Sequence, residues 1–189
     1  MGTANMDEMG MGSFGINGYN KTPVKNPIDP DHFAGGSSAG SAVVVKSYQA
    51  LGSLGTDTGG SVNYPAHCCG LFSMKPSFGR VSRFGQILYS SSNETTGPLA
   101  HSINDVYSIF SKYSHSYYSS DANPIHIDIM QGADQHDSNC FNFANLGKIR
   151  YKDRVMESGV DSPGILEGLR VGILDEFNIE ELDERNRNM

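Results

Sequence analysis

The sequence predicts an α/β fold, on two observations. Apolar residues make up 38% of the 189 positions, which is enough to build one sizeable core. Helical and extended patterns also alternate along the first half of the chain. We expect a helix over 38–51, a strand over 53–57, a short helix over 61–69 and a buried strand over 71–74.

The helix over 38–51 is predicted from an apolar run, and a second helix over 102–113 from its capping and periodicity. Residues 42–45 are all apolar, which suggests that the first helix is buried on more than one face. In the second helix, Ser102 can cap the first turn and Asp105 favours its positive end. Its apolar positions fall at helical spacing on one face: Ile103, Val106, Tyr107 and Phe110.

We interpret the whole of 1–189 as one partial domain, whose core lies in 1–113. Residues 114–126 are rich in Ser, Tyr, His and Asn, a composition that indicates a flexible insertion. The continuation over 127–189 becomes strongly charged after Arg150, and we expect its end to be a solvated surface.

Composition argues against several functions. The net charge of −7 comes without any basic block, so there is no electrostatic reason to bind nucleic acid. No apolar run approaches the length of a membrane span. The three cysteines, two of them adjacent, fit neither a disulfide framework nor a metal site. We expect the triplet His67-Cys68-Cys69 to be partly buried packing.

Two glycine-framed serine clusters are the main functional signal. Residues 35–41 read Gly-Gly-Ser-Ser-Ala-Gly-Ser, and residues 55–61 read Gly-Thr-Asp-Thr-Gly-Gly-Ser. The apolar segment between them could bring both clusters into one pocket. Each cluster precedes a plausible helix start, where unpaired N–H groups favour developing negative charge. A serine among such donors has the surroundings of an acyl-transfer nucleophile.

The two clusters and their spacing resemble those of the amidase signature family. The resemblance implies the amidase-signature fold, a mixed central sheet flanked by helices, and a Ser–Ser–Lys triad. It implies that Ser61 is the nucleophile. It also implies that Ser37, which would follow a cis peptide bond, relays the proton of Ser61 to an unprotonated lysine.

The resemblance also implies an oxyanion site in the second cluster, made by the backbone N–H groups of 58–61. We expect Asp57 to fix this loop by hydrogen bonds to its amides rather than to act as a base. The remaining loop residues are Thr58, Gly59 and Gly60. The supporting residues of the first cluster are Gly36, Ser38 and Ser41.

The resemblance does not identify the lysine of the triad in this sequence. In the family it lies well before the Asn-Met-Asp-Glu stretch that occupies 5–8 here, so we expect a chain truncated at both ends and inactive alone. The candidates Lys25, Lys46 and Lys75 do not occupy the family position. Asn63 stands where the family usually has arginine, and we expect this change to affect loop anchoring before chemistry.

Residues 71–76, 79–85 and 97–99 resemble one branch of the family in particular, the A subunits of glutamyl-tRNA(Gln) amidotransferase. This implies release of ammonia from glutamine through an acyl-enzyme, for conversion of Glu-tRNA(Gln) to Gln-tRNA(Gln). The implied partners are a B-type tRNA-binding kinase subunit and a small C- or F-type subunit. ATP and Mg²⁺ would be used by the partner, and we expect no cofactor or metal in this chain.

Two other functions stay open. The chain could be a free-standing amidase that hydrolyses small or fatty amides, or an inactive remnant. The Ser/Tyr/His/Asn-rich insertion suggests a eukaryotic nuclear gene, which for this branch implies mitochondria, with the cytoplasm as the alternative.

Overall fold

The computed structural model describes residues 1–110, 130, 132–140 and 170. The chain divides into two compact units, Met1–Asn145 and Leu146–Met189. Apart from Arg170, every described residue belongs to the first unit. The predicted insertion over 114–126 lies outside the described residues.

Helices and strands are interspersed in the described chain, which confirms the α/β class. After a short 3₁₀ turn at Glu8–Gly10, the helices are α1 (Ala39–Lys46), α2 (Asn63–Cys68) and α3 (Ile103–Phe110). The strands are β1 (Gly52–Asp57), β2 (Phe72–Ser73) and β3 (Thr95–Ala100). None of the described helices is long and apolar enough to span a membrane.

The described strands form one sheet in the order β1-β3-β2. Both pairings are antiparallel, so the mixed character expected of the sheet is not seen within the described residues. In the register of β1 and β3, Gly52 lies opposite Ala100 and Asp57 lies opposite Thr95. This pairing fixes the end of β1, from which the second serine cluster continues.

Helix α1 is shorter than predicted because the chain turns sharply after Lys46. Tyr48 adopts a left-handed backbone with a φ of 58°, which stops helical propagation. The helix is tied to β1 by two serines. The Ser41 hydroxyl donates to the Leu54 carbonyl at 2.8 Å, and the Ser53 hydroxyl donates to the Ser41 carbonyl at 2.6 Å.

Strand β2 and helix α3 differ from the predictions in burial. The strand expected over 71–74 contains two residues at the sheet edge, and Phe72 is 51% exposed rather than buried. In α3 the Ser102 hydroxyl accepts the Asp105 N–H at 3.1 Å, as the predicted cap requires. Of the four apolar positions expected on one face, only Val106 and Phe110 are buried.

The core explains the adjacent cysteines. Cys69 is fully buried, Cys68 is half-buried, and both are free thiols, so the packing interpretation is confirmed for the two cysteines, whereas His67 is exposed. Burial, followed by the charge of the neighbouring thiol, raises the pKa of Cys69 to about 11. The buried core cluster comprises Ala34, Ala39, Ala42, Val62, Ala66, Cys69 and Leu99. Within the described residues, no group of three His, Cys, Asp or Glu side chains could hold a metal ion.

A buried ion pair fastens the segment 132–140 to the residues that follow β2. Arg83 Nε lies 3.4 Å from Asp137 Oδ2, and the Arg83 backbone N–H donates to the same oxygen at 2.9 Å. The two side chains are only 4% and 8% exposed. Removing one partner of such a pair leaves a buried charge without compensation.

We therefore expect Asp137→Ala to lower the free energy of unfolding by about 3 kcal/mol, measured by urea denaturation. The matched control is Asp29→Ala, which breaks an ion pair with His32 whose side chains are 53% and 71% exposed. That substitution is expected to change stability by less than about 0.5 kcal/mol. Equal losses in the two variants would contradict the role assigned to the buried pair.

Candidate active site

Ser37, the first serine of its pair, is buried and its hydroxyl is unusual. The residue is 1% exposed, and its Oγ has no hydrogen-bond partner within the described part of the chain. The Gly36–Ser37 peptide bond is cis, as the family resemblance implies. Buried hydroxyls are almost always hydrogen-bonded, so one without a partner requires an explanation.

Asp7 holds the first cluster in place, a role that the sequence did not reveal. Its backbone N–H donates to the Ser37 carbonyl at 3.0 Å. Its buried carboxylate accepts the N–H groups of Gly15 at 2.9 Å and Ile16 at 3.0 Å. Gly36 packs so closely on this carboxylate that any Cβ at position 36 would overlap it. Asp7 therefore joins the turns of the first segment to the backbone of Ser37.

A direct backbone contact joins the two serine clusters. The Ser38 N–H donates to the Ser61 carbonyl at 3.0 Å. The Ser38 hydroxyl accepts the Thr56 N–H at 3.2 Å and lies 3.3 Å from the Thr56 carbonyl. The clusters are far apart in sequence, and this bond joins them. Ser37 directly precedes Ser38, the residue that is hydrogen-bonded to Ser61. Ser61 itself is half-buried.

Asp57 holds the second serine cluster in place by accepting hydrogen bonds from its backbone. Its carboxylate is fully buried, and it accepts the N–H of Gly60 at 2.8 Å and of Val62 at 2.7 Å. Burial opposes ionisation of Asp57 and is the largest influence on it, but these amides and the Lys75 ammonium together lower its pKa. Asp57 thus fixes the loop through its amides, as the sequence led us to expect.

Lys75 closes the network around Asp57. Its Nζ lies 3.0 Å from Asp57 Oδ1 and donates to the Thr58 carbonyl at 2.5 Å. The Ser37 hydroxyl has no partner among the described residues, so Lys75 is not hydrogen-bonded to it.

Asn63 links the loop to the sheet. Its N–H donates to Asp57 Oδ2 at 3.4 Å, and its Oδ1 accepts the Ser73 hydroxyl at 2.9 Å. Asn63 therefore anchors the loop to β2 with a side chain shorter than the arginine usual in the family.

The four amides expected to form the oxyanion site are not equivalent. The Gly60 N–H is already bound by Asp57, so the structure removes it from the expected set. Within the described residues, the N–H groups of Thr58, Gly59 and Ser61 donate to no protein acceptor. Gly60 has a φ of 112°, a conformation that requires glycine, and a Cβ at Gly59 or Gly60 would meet only open space. The N–H groups of Thr58, Gly59 and Ser61 are therefore the candidates to receive a developing oxyanion.

The lowered pKa of Asp57 predicts how the free energy of unfolding changes in acid. A carboxylate whose pKa falls on folding contributes stability above its unfolded pKa of about 3.9 and loses that contribution as the pH falls through the folded pKa. We expect the stability difference between the wild type and Asp57→Asn to be constant near neutral pH and to shrink below about pH 4. Urea melts between neutral and strongly acidic pH measure it. A difference that grew on acidification would have the wrong sign.

Comparisons with known proteins identify the family and several relatives of this chain. A family model described as Amidase matches residues 1–189. The A subunit of glutamyl-tRNA(Gln) amidotransferase from Synechococcus sp. (strain WH7803) is 36% identical over 97% of this chain and 32% of its own length. Its counterpart from Thermus thermophilus is 50% identical over 56% of this chain and 22% of its own.

Solved structures agree with the sequence relatives. The crystal structure of the A subunit of glutamyl-tRNA(Gln) amidotransferase from Thermotoga maritima superposes with a TM-score of 0.61 at 34% identity, over 75% of this chain and 27% of that one. The chain therefore spans about a third or less of the length of these relatives.

Proposed function

Because the chain belongs to the amidase signature family, we propose that it carries the nucleophile of a glutamine-hydrolysing A subunit of glutamyl-tRNA(Gln) amidotransferase. The observation that supports the proposal is the backbone hydrogen bond between Ser38 and Ser61, which joins the two serine clusters, together with the buried, unpartnered hydroxyl of Ser37 in the first of them. The similarity to the Synechococcus protein supports glutamine as substrate.

In the proposed reaction the Ser61 hydroxyl attacks the amide carbonyl of glutamine. A bond forms between Ser61 Oγ and the carbonyl carbon, while the proton of Ser61 passes to Ser37 and on to a base. The free N–H groups of the loop stabilise the oxyanion. The tetrahedral intermediate then breaks its C–N bond, the proton returns to the leaving nitrogen, and ammonia departs. Water hydrolyses the acyl-enzyme to glutamate and regenerates Ser61.

We also propose a base for this reaction and partner subunits for the chain. The proposed base is a lysine, and none of the described residues is hydrogen-bonded to Ser37 Oγ. The ammonia passes to a B-type tRNA-binding kinase subunit, which uses ATP and Mg²⁺ to convert Glu-tRNA(Gln) to Gln-tRNA(Gln). A small C- or F-type subunit completes the assembly. We place the assembly in mitochondria, on the composition of the insertion over 114–126.

We expect the purified chain alone to release no ammonia from glutamine above the rate of its Ser61→Ala variant. A serine hydroxyl needs a base to become nucleophilic at neutral pH, and general-base catalysis contributes about 10²- to 10⁴-fold. A coupled assay for glutamate formation measures the rate. Turnover by the chain that Ser61→Ala abolishes would place the base within these 189 residues.

A chimera tests the function itself. In it, this chain replaces the aligned part of the Synechococcus protein, which covers 32% of that protein. We expect the chimera to hydrolyse glutamine and to co-purify with the B-type subunit. Hydrolysis of simple amides by a monomer that does not hydrolyse glutamine would favour a free-standing amidase. A folded chimera without any amide hydrolysis would identify the chain as an inactive remnant.

A further inference from the structure

Lys75 makes two contacts with different consequences. Its Nζ lies 3.0 Å from Asp57 Oδ1 and 2.5 Å from the carbonyl oxygen of Thr58. The ion pair alone would make Lys75 a counter-charge for a buried carboxylate. Asp57 already accepts hydrogen bonds from Gly60 and Val62, so the carboxylate is largely satisfied without the lysine. The shorter contact is the one to the backbone of the loop.

Binding a carbonyl oxygen fixes the direction of the next N–H. A trans peptide unit is planar, and its C=O and N–H point in opposite directions. A cation that holds the Thr58 carbonyl therefore turns the Gly59 N–H away from itself. Gly59 is exposed, a Cβ on it would meet only open space, and its N–H has no protein acceptor within the described residues. Within the described residues, Lys75 is the one group hydrogen-bonded to the Thr58–Gly59 peptide unit.

The geometry points to Lys75 as a positioning residue that aims the Gly59 N–H at the reacting carbonyl oxygen by holding the Thr58–Gly59 peptide plane. This role rests on the proposed function, because an oxyanion forms only if Ser61 attacks an amide. It divides the loop between two anchors. Asp57 holds the peptide units that follow, through Gly60 and Val62, and Lys75 holds the unit that precedes them.

The test measures the order of backbone N–H vectors in the full chain by ¹⁵N relaxation. In the wild type we expect an order parameter of about 0.85 at Gly59, the value of rigid backbone. In Lys75→Met it should fall below about 0.6 at Gly59, while Val62, still bound by Asp57, keeps its order. Lys75→Arg, whose guanidinium can donate to the same oxygens, should restore Gly59. Lys25→Met, which changes a lysine outside both serine clusters, is the matched control and should match the wild type.

An unchanged order parameter at Gly59 in Lys75→Met would overturn the inference. So would a loss spread equally to Val62, which would make Lys75 a support of the fold alone. If Lys75→Met does not fold, the wild type decides, because an order parameter below about 0.6 at Gly59 would show that Lys75 does not hold its peptide plane. The measurement uses no substrate. Loop order thus decides the role of Lys75, and hydrolysis by the chimera decides the function separately.

Discussion

Replacing Ser61 with alanine in the chimera is expected to lower kcat for glutamine hydrolysis by about 10⁴- to 10⁶-fold. The variant loses the atom that forms the acyl-enzyme, whereas the free N–H groups of the loop remain and can still bind substrate. KM should therefore change little. Glutamate formation under saturating glutamine measures kcat, and the burst of ammonia that precedes deacylation should disappear as well.

The control for this prediction is Ser47→Ala, which removes an exposed hydroxyl bound to the Val43 carbonyl at the end of α1. It should leave kcat unchanged. Ser37→Ala should fall between the two, with a loss of about 10²- to 10⁴-fold, because it interrupts the proton path but leaves the nucleophile. If Ser61→Ala retained a tenth of the activity, another residue would have to be the nucleophile.

Replacing Asp57 with alanine is expected to lower the free energy of unfolding by about 3 to 5 kcal/mol. The side chain is fully buried and accepts two short hydrogen bonds from Gly60 and Val62. Its removal leaves those N–H groups without an acceptor and the Lys75 ammonium without its counter-charge. Urea denaturation of the full chain measures the loss.

Asp57→Asn separates the two parts of this effect. The amide keeps the shape of the side chain and one acceptor oxygen but loses the charge that faces Lys75. We expect it to cost about half as much as the alanine variant, since one loop amide stays satisfied. A loss below about 1 kcal/mol for Asp57→Ala would show that water replaces the carboxylate and that the loop does not depend on it.

The sequence was sufficient to predict the features that depend on a local pattern of residues. The glycine-framed serines led to the family, and the short spacing between Asp57 and the loop amides made its structural role predictable. The cap at Ser102 was also predictable, because its partner lies three residues away. In each case the physical cause is contained within one short stretch of chain.

The sequence was insufficient where distant segments decide the outcome. Strand β3 carries Gly97 and Pro98, residues that argue against a central strand, yet pairing on both sides places it there. Asp7 was missed for a related reason. Its hydrogen bonds reach Gly15 and Ile16 across a turn, and its backbone reaches Ser37, so no periodicity in the sequence signals them.

The close packing of Gly36 on Asp7 has a consequence for how the site can vary between related proteins. A methyl group at 36 would overlap the Asp7 carboxylate and also the backbone of Ser13 and Phe14, so a change at Asp7 alone would not make room for it. Gly59 has no such neighbour, and a methyl group there would meet only open space. Position 36, next to Ser37, is therefore closed to side chains, whereas position 59, two residues before Ser61, is sterically open.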